Sequence, residues 1–325
     1  MEAPAPLTAA WRTDPGLVRS HNEDFVHVYE PPTEADRRRH GAVYIVADGV
    51  GGADAGEVAS QYASEQTLQH YLTDDDRTDW GARLIDAMQA ANTDLRRLAA
   101  DRDDSRRMAT TMVAAVVQGG RAYIGNVGDS RAYQWRRGQL QQISRDQSLV
   151  ARLVEEGALT PEEAVRYPYK NVILYSIGSE KRPPIDLYEI EVEPGDLLVL
   201  CSDGLTRHVE DGEIALIAGD EPPDVAADSL VRLARDRGGE DNITVAIIQH
   251  GERSLEVTQP LVPALNRPAP VTQPAAAMMQ PQTSVLRPAQ AAERRSLWPL
   301  TLGLAAVMVI LILLLWVFIQ QATTV

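Results

Sequence analysis

Apolar positions in this chain fall into short continuous runs joined by glycine-bearing turns, and into a few stretches with helical spacing. GAVYIVAD (41–48) and DLLVLCSD (196–203) are apolar runs that end in Asp, as buried strands feeding a site would be. MVAAVVQGGRAYIGNVG (112–128) predicts two strands about the turn Gly119-Gly120, and RAYQWRRGQLQQI (131–143) repeats the pattern about Arg137-Gly138. Leu84, Met88, Ala91, Leu95 and Leu98 alternate spacings of four and three, which predicts an amphipathic helix. Val58, Tyr62, Leu68 and Leu72 mark a second, less regular one. A third runs from Pro222 to about Arg237, ahead of the strand-like DNITVAII (241–248). Strands outnumber helices and hairpin turns join them. The expected class is therefore α+β, with antiparallel sheets flanked by helices rather than alternating βαβ units.

The pattern changes after residue 250. Residues 1–250 mix apolar and charged positions as a globular domain does, whereas 251–296 are rich in Pro, Ala and Gln and hold no apolar period, the signature of a flexible linker. Residues 297–319, LWPLTLGLAAVMVILILLLWVFI, carry no charge. As a helix they would extend about 35 Å, enough to cross a bilayer core of about 30 Å. Trp298 and Trp316 stand near its ends, where indoles favour the interface. A C-terminal transmembrane helix is the expectation. Arg294 and Arg295 precede it, while the tail 320–325 has neither Lys nor Arg. By the positive-inside rule this predicts a single-pass cell-membrane protein with its large domain in the cytoplasm and a short non-cytoplasmic tail.

Composition narrows the chemistry. The 325 residues hold 46 acidic and 31 basic side chains, for a net charge of −15. From residue 251 onward five Arg face three Glu, a net of +2, so residues 1–250 carry −17. Such a domain lacks the clustered Lys and Arg that neutralise nucleic-acid phosphates, and no nucleic-acid partner is expected. A single cysteine, Cys201, excludes an intrachain disulfide framework and a Cys-rich zinc site. It lies inside LLVLCSD and is expected to be an inert core thiol. The six histidines show no HExxH or HxxxH spacing, so a zinc enzyme is not expected.

The informative residues are carboxylates at strand ends and turns: Glu23 and Asp24 in RSHNEDF, Asp48 in VADGVGG, Asp129 in NVGDSRAY, Asp203 in CSDGL and Asp241 in GEDNITV. Asp followed by Gly at the end of a buried strand leaves the carboxylate at the edge of the core with room for close backbone approach. Taken singly, each is the mark of a turn. Converging, they would repel one another unless cations neutralised them. Oxygen donors without His or Cys select Mg²⁺ or Mn²⁺.

RSHNEDF, VADGVGG, GNVGDSRAY, LCSDGL and EDNITV, in this order over about residues 8–250, resemble the signature segments of the bacterial branch of the metal-dependent protein phosphatases of the 2C type. The resemblance implies a four-layer α/β/β/α sandwich with a two-metal site at one end. It implies that Asp48 bridges two Mn²⁺ or Mg²⁺ ions, that the Gly49 carbonyl binds one of them, and that Asp203 and Asp241 hold the other. Glu23 and Asp24 match the acidic position that orients metal-bound water. Asp129 matches the carboxylate of a third metal, and Arg19 the residue that grips the substrate phosphate. SRDQSLVARLVEEGALTPEEA (144–164) and the following YPYKNVILYSIGS resemble the flap that faces the substrate.

Each implied role has an independent physical basis. A water held between two divalent ions becomes a hydroxide nucleophile near neutral pH and attacks phosphorus in line. An arginine adds a planar bidentate fork that lysine cannot reproduce. One departure matters. Some family members carry a His after the Asp-Gly, proposed as general acid for the leaving alkoxide, and this chain has Val50 there. Metal-bound water and His21, within the first motif, are the two remaining candidates.

The expectation is a membrane-anchored phosphoserine/phosphothreonine protein phosphatase. Its expected partners are phosphorylated proteins, membrane-associated Ser/Thr kinases among them. The competing reading is a catalytically weak module that only binds phosphoproteins at the membrane. Retention of Asp48, Asp203 and Asp241 favours the enzyme.

Overall fold

The computed structural model describes residues 6–51, 53–74, 79–101 and 108–253. All of them fall within the compact unit Met1–Leu261. The predicted linker beyond Arg253, the predicted span 297–319 and the tail 320–325 lie outside the described residues. Among the described residues no helix is long and apolar enough to cross a membrane.

Two antiparallel sheets form the centre. One takes the order β1 (Leu7–Asp14), β11 (Ile243–His250), β10 (Leu197–Cys201), β7 (Arg131–Arg136), β8 (Gln139–Gln142). The other takes the order β2 (Asp24–Tyr29), β3 (Ala42–Val50), β5 (Met112–Gln118), β6 (Arg121–Val127), β9 (Asp186–Glu191), with the two-residue β4 (Ala109–Thr110) paired to the end of β3. The apolar runs are continuous because each central strand is buried on both faces, and the period-2 alternation sorts the side chains. In β3, Tyr44 and Val46 meet Leu198, Leu200 and Ile248 of the opposing sheet. Val43, Ile45 and Ala47 turn outward onto the helices α2 (Ala53–Thr73) and α3 (Trp80–Asp101). In β10, Leu197, Val199 and Cys201 face α7 (Asp211–Asp220) and α8 (Pro223–Asp236). The result is the expected layering of helices, sheet, sheet and helices, with the short helices α1 (Glu34–His40), α4 (Leu149–Glu155) and α5 (Pro161–Val165) in the connections β2–β3 and β8–β9.

Both predicted hairpins form. Gly119 and Gly120 have φ of 57° and 81°, and Arg137 and Gly138 have φ of 51° and 83°. Positive φ at both central residues gives the turn whose twist matches paired strands. The helix read from Leu84 to Leu98 is α3, and Leu84, Met88, Ala91 and Leu95 are fully buried in it. In α2 the outcome differs from the sequence reading. Its buried apolar residues are Ala55, Ala59, Ala63 and Tyr71, joined by buried Ser60, Ser64 and Thr67 in a mostly small-residue face, while Val58, Tyr62, Leu68 and Leu72 flank it half-buried. The small residues let the helix lie close against β3. The run 41–48 was expected to stop at Asp48, yet β3 continues to Val50, because β4 pairs with Gly49 and Val50.

Candidate active site

The sheets deliver the motif residues to one end of the sandwich. Asp24 opens β2 and stands in register opposite Asp48 of β3. Asp129 lies in the turn between β6 and β7. Asp203 begins the short helix α6 (Asp203–Thr206) directly after β10, and Asp241 precedes β11. The loop between β1 and β2 brings Arg19 and Glu23 across. Asn242 fixes that loop: its side chain accepts from the Glu23 N–H at 2.8 Å and donates to the carbonyls of Pro15 and His21 at 3.1 and 2.9 Å.

A cleft of about 210 Å³ opens here, lined by Arg19, Glu23, Asp48, Gly49, Asp203 and Asp241 of the predicted residues. Val50, Gly51, Asn171, Ile173, Arg207 and Asn242 complete its wall. Asn171 and Ile173 come from the segment that resembles a flap. The structure brings the other two predicted residues close behind the cleft rather than into its lining. Asp24 is buried and accepts a hydrogen bond from Ser202 at 2.7 Å; Asp129 is buried as well. His21 is exposed and its ring is not part of the cleft wall, while Val50 is. Cys201 is fully buried on the helix side of its sheet, and burial pushes its thiol up to about 12, so it supplies no nucleophile.

Electrostatics dominate the site. Burial pushes the carboxyls of Asp24 and Asp129 up to about 7, with Asp203 adding to the shift at both. Burial also raises Asp48 well above the ordinary carboxylate range, and the neighbouring Asp24, Asp203, Asp129 and Asp241 add to it. Asp203 and Glu23 are raised by burial too, opposed by Arg207 and Arg19 respectively. Arg207 donates to Asp203, and to Asp241 at 2.9 Å; Arg19 reaches Asp241 at 3.0 Å. Among the described residues no three acidic, His or Cys side chains form a ready-made metal cage. Instead these two guanidiniums hold part of the cluster.

The donor set nonetheless fits divalent cations. Asp24 Oδ1, Asp129 Oδ1 and Asp203 Oδ1 are buried with no hydrogen-bond partner. Buried carboxylate oxygens left in that condition are costly without a cation. All the acidic donors are hard oxygens, which suits Mn²⁺ or Mg²⁺. Close backbone packing shapes the cradle: a Cβ on Gly49 would strike the Gly56 carbonyl, and one on Gly56 would strike the Glu23 carboxylate.

The Protein phosphatase 2C family matches residues 19–235. The chain belongs to that family. It is 35% identical over 250 residues to the serine/threonine phosphatase stp of Listeria monocytogenes, covering 75% of this chain and 96% of that one. The crystal structure of the Mycobacterium tuberculosis serine/threonine phosphatase PstP/Ppp superposes with a TM-score of 0.67 at 36% identity, over 76% of this chain and 99% of that one. A structure of the PstP catalytic domain in complex with two manganese ions superposes with a TM-score of 0.64 at 36% identity, over the same shares. The chain is thus a metal-dependent protein-serine/threonine phosphatase, and Mn²⁺ or Mg²⁺ is its cofactor.

Sequence reasoning missed three participants. Arg207 lies one helical turn after Asp203, a spacing that could have flagged it. Asn242 stands inside the EDNITV motif. Ser202, beside Asp203, gave no signal of its hydrogen bond to Asp24.

Proposed function

We propose that this phosphatase is held at the cell membrane by residues 297–319 and removes phosphate from phosphoserine and phosphothreonine proteins on the cytoplasmic side, membrane-associated Ser/Thr kinases among them. The observation that carries the site reading is the convergence of four separate motifs on one cleft, with Asp129 of the fifth buried close behind it, and buried oxygens of Asp24, Asp129 and Asp203 that lack partners. In this reading Asp48, the Gly49 carbonyl, Asp203 and Asp241 hold two ions, and Asp129 serves a third. When bound, the ions supply positive charge to the phosphoryl oxygens and acidify water. Glu23 and Asp24 orient the attacking water. Arg19, half-exposed at the cleft mouth, presents its fork to the phosphate oxygens.

The membrane part of the reading is supported by the uncharged run 297–319 and by Arg294 and Arg295 before it. In this reading residues 254–296, 43 in number, act as a flexible linker, which at roughly 6 Å per square root of residue number would span about 40 Å on average. That reach raises the effective concentration of the domain toward membrane-bound targets without touching its chemistry.

The test compares full-length protein with a chain cut after Leu261. That cut keeps Arg253, which donates to the carbonyls of Ala218 and Glu221 and stacks on Trp135. Expected are equal rates on a soluble phosphopeptide and, in cells, higher phosphorylation of membrane-proximal proteins with the shorter chain. Loss of peptide activity on truncation, or unchanged cellular phosphorylation, would refute the anchoring role.

A further inference from the structure

Gln147 sits at the root of the flap segment and joins two parts of the site. Its main-chain N–H donates to the Gly128 carbonyl at 2.8 Å, and its side-chain Oε1 accepts from the Gly128 N–H at 3.0 Å. Gly128 has a φ of 102° and directly precedes Asp129; its N–H and its carbonyl both bond Gln147, the carbonyl accepting also from Asn126 Nδ2 at 3.4 Å. On its other side the Gln147 carbonyl accepts from the Leu174 N–H at 2.8 Å, while Ser148 bridges to Ile173, which lines the cleft. The side-chain Nε2 donates to Asp186 Oδ2 at 2.9 Å, at the start of β9. The amide therefore has each end committed, one to the Asp129 turn and the other to the sheet.

We propose that Gln147 is a positioning residue that couples the flap wall of the cleft at Ile173, through its neighbour Leu174, to the aim of the Asp129 carboxylate. The inference rests on the reading of Asp129 as part of the metal site. Hydrogen-bonded residues behind metal ligands fix ligand orientation, and their loss weakens metal binding by about 10- to 100-fold. The main-chain bond to Gly128 does not depend on the side chain, so replacement loosens the turn without removing it.

The experiment uses the full-length protein and four variants: Gln147→Ala, Gln147→Glu, Gln147→Glu with Asp186→Asn, and Asp129→Asn. Calorimetric Mn²⁺ titration and amide hydrogen exchange at Gly128 are read alongside phosphopeptide kinetics. Asp129→Asn identifies the Mn²⁺ step that depends on this carboxylate. Gln147→Ala is expected to weaken that same step by about tenfold and to speed exchange at Gly128. Gln147→Glu keeps the acceptor for Gly128 but sets two carboxylates against each other at Asp186, and should also impair the step. Adding Asp186→Asn returns a donor, so the double variant should recover to within about twofold of the parent. A structural role alone would lower thermal stability and leave the Mn²⁺ titration unmoved, which would overturn the proposal. If Asp129→Asn impairs a step and the Gln147 variants do not, the coupling is wrong while the reading of Asp129 stands. If Asp129→Asn also binds Mn²⁺ as the parent does, the reading of Asp129 falls and takes the coupling with it.

Discussion

Asp48→Asn is expected to lower Mn²⁺-dependent kcat/KM by about 10³-fold and, in the same protein without metal, to raise thermal stability. The activity loss follows from removing a charged oxygen donor at the centre of the cluster, where it faces Asp24 across the β2–β3 register. The stability gain has the opposite sign because the same carboxylate is buried and crowded by Asp24, Asp203, Asp129 and Asp241. The pH dependence follows from linkage. Asp24 and Asp129 have an ordinary value of 3.8 that burial raises to about 7 in the fold. Below about pH 4 folded and unfolded chains are both protonated, and these groups contribute no difference. Between about 4 and 7 the unfolded chain releases protons that the folded chain retains, so stability of the metal-free protein falls as pH rises and then levels off. Replacing Asp48 relieves the cluster, so the gain should be about 2–4 °C in Tm at pH 7.5 and should shrink towards zero at pH 4. Scanning calorimetry at the two pH values with a chelator present checks it. Equal Tm values at pH 7.5, with activity retained, would remove Asp48 from the site.

Arg19→Lys is expected to lower kcat/KM on a phosphopeptide by about 10²-fold while Mn²⁺ affinity stays near that of the parent. A lysine keeps the positive charge beside Asp241 but cannot offer two parallel N–H donors to a phosphate. Arg207 remains on both Asp203 and Asp241 in this variant, so the local charge balance changes little. Steady-state kinetics and calorimetric Mn²⁺ titration together separate the effects. Unchanged kinetics would mean that Arg19 only pairs with Asp241. A loss of Mn²⁺ affinity matching the loss of rate would make it a support for the metal site instead of a phosphate contact.

Local patterns were readable where one face or one turn decides them. The glycines at 119–120 and at 138 set their hairpins, and the spacing in α3 set its buried face. In α2 the alanines that touch the sheet carry too little apolar contrast to reveal which face is inward. The edge strand β1, with Arg12 and Asp14 among its residues, mixes half-buried and exposed positions and shows no apolar run to announce it. The same division holds at the site. The five acidic motifs could be read one by one, and the family resemblance supplied their convergence. The bond from Arg207 to Asp241, unlike its local one to Asp203, depends on β10 and β11 lying side by side, a tertiary fact that no local spacing contains. The link from Ser202 to Asp24 is of the same kind.

Loaded with divalent ions, this carboxylate cluster is expected to hydrolyse phosphoserine and phosphothreonine esters. The decisive measurement is phosphate release from a phosphothreonine peptide as Mn²⁺ is titrated into chelator-treated protein. Release should be absent at zero Mn²⁺, rise saturably with the ion and vanish again on addition of excess chelator. Release that ignores the chelator, or peptide that binds with Mn²⁺ present and is never hydrolysed, would contradict the account.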